Sequence, residues 1–224
     1  MCSEKILPLQ SLRSLPTARS GPEKGYAGVR PLARRALPID TEAQARYLIG
    51  KTLVHETSEG PVGGRIVETE AYVVGDAACH AFRGQTPRNR SLFLERGHAY
   101  VYFIYGCWFA LNVAGGKAGI GTGVLLRALE PVFGIDVMQR QRPASSLRDL
   151  ARGPGRLATA FGIDRRYDGI DLCKKGLLWL GSPIRPVGSV GISTRIGLSL
   201  EADRLLRFYE RDSIYVSGPK NLNR

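Results

Sequence analysis

Residues Gly64-Arg-Ile-Val-Glu-Thr-Glu-Ala-Tyr72 place two carboxylates in a segment with the make-up of a β-strand. Side chains alternate between faces along a strand, so Ile66, Glu68, Glu70 and Tyr72 are predicted to share one side. A sheet needs an apolar face, and two acids with a phenol on it demand cations, hydrogen bonds or water as compensation. The rest of the chain must therefore fold around a strand that carries polar chemistry.

Residues 1–36 are rich in Ser, Pro, Gly and Arg without periodicity and read as a flexible basic arm. Such an arm suits a DNA tether, a dispensable extension or an organellar transit segment. The folded domain is expected over 37–224. Thr41 followed by Gln44 is a capping-box pattern for a helix over 41–49, with Gly50 at its C′ position. Strands follow over 51–57 and 64–74 around a turn at 58–63, then a polar loop over 75–97. Residues 99–105 and 108–114 pair as a hairpin turning near Gly106, its tip carrying Tyr105. A glycine-rich loop then leads to a strand over 124–129. Helices are predicted at 131–141, where proline suits the first turn, and at 154–161, with 142–152 a basic loop or short helix. The tail over 172–218 reads as further strands, with a helical piece near 201–206. The pattern predicts an α+β fold, a single mixed domain of mainly antiparallel strands with peripheral helices.

Charge narrows the partners. The chain has 32 Lys and Arg against 20 Asp and Glu, a formal net charge of +12. Such an excess favours polyanions, because each phosphate neutralised releases counterions, and arginine both forks onto phosphate and stacks on bases. Apolar residues make up 43% of the chain, which excludes wholesale disorder. Cys2, Cys79, Cys107 and Cys173 show no paired spacing and His55, His80 and His98 no metal-binding repeat, so neither a metal site nor a disulfide framework is expected. No apolar run reaches membrane-spanning length and no signal peptide is visible, so a soluble intracellular protein is expected.

Glu70, in a pocket with Tyr72 and Tyr102 and with Arg127 as cationic partner, suits a base that takes a proton from attacking water. A structural ion pair explains the same pattern. Glu68 and Glu70 would stand about 7 Å apart, which also permits the carboxylate pair of an inverting carbohydrate hydrolase. In Tyr100-Val-Tyr-Phe-Ile-Tyr-Gly106, Tyr102 suits a base-stacking wall and Tyr105 a side chain pushed between base pairs; strand packing is the alternative. His80 and Asn112 could read a base edge or serve structure alone. Gly115-Gly-Lys-Ala-Gly119 lacks the Ser or Thr of a phosphate loop, whereas Gly153-Pro-Gly-Arg156 opens a helix where phosphate could sit.

Several of these segments, in order, resemble the alkyladenine (3-methyladenine) DNA glycosylase family. The matching blocks are Gly64–Tyr72, His80, Gln85-Thr-Pro-Arg-Asn-Arg90, Tyr100–Gly106, Asn112 and Val124-Leu-Leu-Arg-Ala-Leu-Glu-Pro131. The resemblance resumes at Gly153-Pro154, Arg195-Ile-Gly197 and Arg207-Phe-Tyr209, covering 37–217. It implies a curved antiparallel sheet, minor-groove binding to double-stranded DNA holding damaged purines, and excision of the flipped base with no metal or other cofactor. By the same resemblance, Glu70 is the general base, Arg127 and the Ile196 carbonyl hold the water, and Tyr72, His80 and Tyr102 enclose the base. Asn112 and Leu125 contact or screen it, and Tyr105 fills the gap left in the duplex. Cys107-Trp108 after the wedge departs from the family's pattern. A monomer is expected, in the cytoplasm or nucleoid of a bacterium or the nucleus of a eukaryote. No lysine accompanies the motifs, so no Schiff-base lyase step is expected. The rivals are a catalytically silent DNA-binding module of the same fold and the carbohydrate hydrolase.

Overall fold

Thr52–Thr57 (β1) and Gly60–Tyr72 (β2), each buried in a continuous run over most of its length, form an antiparallel hairpin closed where Thr57 pairs with Gly60. The computed structural model describes residues 28–144, 146–219, 221 and 223. Within them Ala99–Ile104 (β3), Trp108–Ala114 (β4), Gly123–Phe133 (β5) and Leu178–Gly181 (β6) complete the order β3-β4-β5-β2-β1-β6. Val190–Ser193 (β7) pairs with Arg207–Glu210 (β8), which joins β2 beyond the end of β1. All these pairings are antiparallel, and the sheet is curled into one mixed α+β domain. β2 is its spine, paired with β5 along one edge and with β1 and β8 along the other.

Among the described residues four short helices cover the sheet: Thr41–Leu48 (α1), Ile135–Gln141 (α2), Leu147–Leu150 (α3) and Pro154–Ala160 (α4). Ala45 and Leu48 of α1, Leu157 and Ala158 of α4, and Ile66, Leu111, Leu126 and Leu129 of the strands share one core. Among the described residues no helix is long and apolar enough to cross a membrane.

The helix over 41–49 forms, but its cap is Asp40, whose side chain accepts from Ala43 N–H at 2.7 Å. Thr41 and Gln44 are instead committed to the sheet: Thr41 donates to the Thr122 hydroxyl at 3.0 Å and Gln44 to the Ala114 carbonyl at 3.0 Å. Gly50 follows with φ 81°, where a Cβ would lie 2.2 Å from Val187.

Three expectations are corrected. Pro131–Phe133 continue β5 rather than starting a helix, Pro131 pairing beside a register shift at Gly63/Gly64, where a missing N–H costs little. Residues 201–206 are not helical, and Glu201 has φ 51°. Segment 28–36, read as part of the arm, already packs on the body. Leu32 N–H donates to Leu180 O at 2.9 Å, Leu32 is buried, and Arg34 pairs with Asp171 at 2.7 Å. The remainder of the expected arm, 1–27, lies outside the described residues.

Candidate active site

The β2–β5 register shifts where the acids lie. Ile66 pairs with Leu129, Glu68 with Ala128 and Thr69 with Leu126, so Val67 and Arg127 fall in the irregularity. One extra residue turns the following side chains over. Ile66 thus joins the main core and Val67 a separate cluster with Ala128, Tyr209 and Val216, so Ile66 does not share the face of Glu68, Glu70 and Tyr72 as expected. The same irregularity brings Arg127 to both acids. Its Nε donates to Glu68 at 2.9 Å, its Nη1 lies 3.2 Å from Glu70, and its Nη2 donates to the Ser217 hydroxyl at 3.3 Å.

The two carboxylates have different occupations. Glu68 accepts from Arg127, from Arg207 Nε at 2.8 Å, and from the Ser217 N–H at 2.6 Å and hydroxyl at 2.9 Å. Burial alone would raise its pKa, but Arg127, Arg207 and these hydrogen bonds hold it below the usual range. Glu68 is a structural anion, which removes the carboxylate pair that a carbohydrate hydrolase would need. Glu70 makes one contact fewer: Ile196 N–H donates to Oε1 at 2.8 Å, Tyr72 OH donates to Oε2 at 3.0 Å, and Arg127 completes its shell. Burial lowers and both acids raise the affinity of Arg127 for its proton, and the acids prevail.

Glu70 is fully buried, one layer behind a cavity of about 410 Å³. Tyr72, Arg127 and Ile196, its three partners, all line that cavity, as do His80, Tyr102, Asn112, Leu125 and, at the tip of the hairpin, Tyr105. The structure therefore brings every sequence-predicted site residue to one place. The Ile196 contact differs in kind from the expected one: its N–H, rather than its carbonyl, is the group engaged with Glu70.

Apart from Arg88 and Arg127, the cavity walls are uncharged, and several are aromatic. His80 meets Tyr102 edge-on with centroids 4.5 Å apart and an interplanar angle of 77°. Burial and the nearby Arg88 charge lower the His80 pKa, so the ring is neutral near neutral pH. Its Nδ1 shares a hydrogen bond with Tyr100 OH at 3.0 Å. Tyr100 in turn stacks on Tyr102, centroids 5.2 Å apart. Burial, then the Glu70 charge, pushes Tyr102 up to about 12 and raises Tyr72 further, so both phenols keep their protons. The Asn112 amide nitrogen is buried with no acceptor in hydrogen-bonding geometry, although it lies near enough to the Tyr102 phenol to moderate that shift. A cavity with neutral π faces and an unused donor suits a flat heterocycle with acceptor atoms.

At the hairpin tip Tyr105 has φ 51° and Gly106 φ 70°, closed by Cys107 N–H to Ile104 O at 3.2 Å. Positive φ at both central residues matches the strand twist, at a cost of about 1 kcal/mol for a non-glycine residue. The tyrosine so held is 84% exposed.

Sequence reading missed the supports of these groups. Buried Asn89 ties the 80–89 loop together, donating to the carbonyls of His80 at 2.8 Å and Gly84 at 3.0 Å and accepting from Thr86 N–H at 2.6 Å. Its Thr-Pro-Arg-Asn context was the available signal. Nothing local in the sequence points to Ser217 or Arg207 as partners of Glu68. A larger depression of about 700 Å³, lined by Phe133, Ile135, Asp136 and Leu147 among others, gathers none of the site residues. Among the described residues no group of three or more His, Cys, Asp or Glu is placed to hold a metal ion.

The methylpurine-DNA glycosylase (MPG) family profile matches residues 36–214. A protein of Mesorhizobium japonicum is 65% identical over 192 residues, covering 86% of this chain and 92% of its own. One of Paraburkholderia phytofirmans is 51% identical over 194 residues, covering 87% and 91%. An archaeal one, of Methanoculleus marisnigri, is 46% identical over 182 residues, covering 80% and 94%. All three carry the name "Putative 3-methyladenine DNA glycosylase". The matched region spans every strand of the sheet and all the residues around the cavity, and the chain belongs to the methylpurine-DNA glycosylase family.

Proposed function

We propose that this protein is a monofunctional DNA glycosylase that excises 3-methyladenine and other damaged purines, hypoxanthine and ethenoadenine included, from duplex DNA. The observation that carries this reading is the aromatic cavity of about 410 Å³ backed by the Glu70–Arg127 pair. A net charge of +12 supports loose, phosphate-directed binding to duplex DNA, from which the site is searched. Damaged purines stack or pair less well than intact ones, so turning them out costs less. Tyr105, exposed at the tight turn of the hairpin, then fills the gap in the stack. The base lies among Tyr72, His80 and Tyr102, with Asn112 offering its donor and Leu125 screening the base.

Glu70 acts as general base, with Arg127 orienting the carboxylate and the water beside it and Ile196 supporting the same group. Water attacks the anomeric carbon, the N-glycosidic bond breaks, and the water proton passes to Glu70, leaving an abasic site. A cationic alkylated base departs as a neutral purine. A neutral lesion needs a proton on its leaving nitrogen as well. The residues lining the cavity include Arg88 and Arg127 but no lysine, which supports hydrolysis without a Schiff base. A single catalytic site needs no second subunit, and the enzyme acts as a monomer where the chromosome is held.

The test is incubation of the full chain with duplexes carrying a single 3-methyladenine or hypoxanthine, followed by alkali. Strand scission at the lesion is expected only after alkali, and borohydride should trap no adduct. Intact strands for both lesions would overturn the reading.

A further inference from the structure

One step back from the cavity lies a second buried ion pair. Arg195 and Asp76 both have side chains with no solvent exposure. Nη2 of Arg195 donates to Asp76 Oδ1 at 3.0 Å, and Nη1 to Oδ2. Neither residue lines the cavity. A buried ion pair is a weak source of stability compared with an apolar pair of equal volume, so its presence here asks for another reason.

Its contacts supply one. Nη1 of Arg195 donates to the Ala71 carbonyl at 3.0 Å, gripping β2 between Glu70 and Tyr72. The guanidinium carbon lies over the Tyr72 ring, 4.7 Å from its centroid, a cation–π contact, and among the described residues the Nε of Arg195 has no hydrogen-bond acceptor. The next residue in the chain is Ile196, whose N–H donates to Glu70 at 2.8 Å. Asp76 also accepts from Ala78 N–H at 3.0 Å, fixing the turn that leads to His80. One ion pair thus ties together the strand bearing Glu70, the loop bearing Ile196 and the turn before His80.

We infer that Asp76 and Arg195 are positioning residues for excision: the planar guanidinium backs the Tyr72 stacking wall and sets the Ile196 N–H against Glu70. This rests on the proposed function. The pair acts through Tyr72 and Glu70, so its loss should leave the grip on DNA intact while loosening the geometry of the reaction. A displacement of about 1 Å in such a geometry costs on the order of 100-fold in rate.

Two variants test it. The Asp76→Asn/Arg195→Gln double variant removes both charges together, and Arg195→Lys keeps the charge while losing the planar fork. Each is compared with wild type by thermal melting, by single-turnover excision of hypoxanthine, and by binding to a duplex carrying a tetrahydrofuran abasic analogue, which puts no base in the cavity. Binding of the analogue should stay within about twofold, while excision falls by about tenfold or more in both variants. A role confined to holding the fold would weaken analogue binding in parallel with rate, and Arg195→Lys would restore both. Wild-type excision by either folded variant overturns the inference; should the double variant not fold, Arg195→Lys decides. Glu70→Gln run alongside separates the two levels. If it excises at the wild-type rate, the proposed function fails; if it is inactive while the Arg195 variants are unimpaired, only the positioning role fails.

Discussion

Glu70 and Arg127 face each other across the β2–β5 pairing at 3.2 Å, and the same guanidinium holds Glu68 at 2.9 Å. One cation is therefore shared between a carboxylate saturated by structural donors and one kept next to the cavity. The arrangement depends on the register irregularity that brings Arg127 to both acids.

Arg127 consequently serves stability and reaction together. Arg127→Ala leaves Glu68 and Glu70 short of a buried cation, a change that costs about 3–5 kcal/mol. Urea unfolding should show that loss. Arg127→Lys, with a single ammonium in place of the fork, should fold but excise at least about tenfold more slowly in single turnover.

Tyr105 carries the opposite balance. Its left-handed backbone makes it costly where it stands, and its side chain touches solvent more than protein. Tyr105→Gly should leave the unfolding free energy unchanged or raise it by up to about 1 kcal/mol. Base flipping, followed by 2-aminopurine fluorescence beside the lesion, should be lost. A variant that is destabilised yet still flips would reject the wedge.

The strands around the site were legible because strand alternation and turn residues are local. The hairpin 99–114 and the block 64–72 could be read directly, and Tyr72, Tyr102 and Tyr105 with them. The bulge was not legible. Nothing in Ile66-Val67-Glu68 announces that Val67 is the extra residue, because the shift is set by pairing with β5 and β8. The division between Glu68 and Glu70 was hidden for the same reason, since it depends on Arg207 and Ser217, far along the chain. Thr41 and Gln44 misled because tertiary partners, Thr122 and Ala114, outcompete a local cap. Arg195 and Asp76 stood in plain view as single charged residues, but only the fold brings them together.

His55 makes stability depend on pH near neutrality. It is buried in β1, its Nδ1 donating to Phe161 O at 2.5 Å and its Nε2 accepting from Tyr167 OH at 2.7 Å. Burial lowers its pKa below the ordinary 6.5, outweighing the opposing pull of the Phe161 carbonyl. A depressed histidine stabilises the fold above that ordinary value, and the contribution is lost as pH falls through the folded one. Unfolding free energy should therefore decline as pH falls from about 7.5 towards about 5.5, with a shallower slope in His55→Gln.

Glu68 acts in a more acidic window. Its pKa is held below the ordinary 4.5, so its contribution is complete above that value and disappears as pH falls through the lower folded value. Glu68→Gln should cost about 3–5 kcal/mol at neutral pH, by leaving Arg207 and Arg127 short of their shared anion. The same variant should flatten the acid limb of the stability curve, as measured by urea unfolding below about pH 5.

The central claim is that the Glu70 carboxylate takes the proton from the attacking water. Its most direct measurement is single-turnover excision of hypoxanthine by Glu70→Gln, with lesion-duplex binding measured on the same preparation. Glutamine keeps the size and the acceptor oxygen for Ile196 N–H but not the negative charge. We expect binding within about threefold of wild type and excision reduced by about 100-fold or more. Excision at an undiminished rate by a folded, lesion-binding Glu70→Gln protein would contradict that assignment.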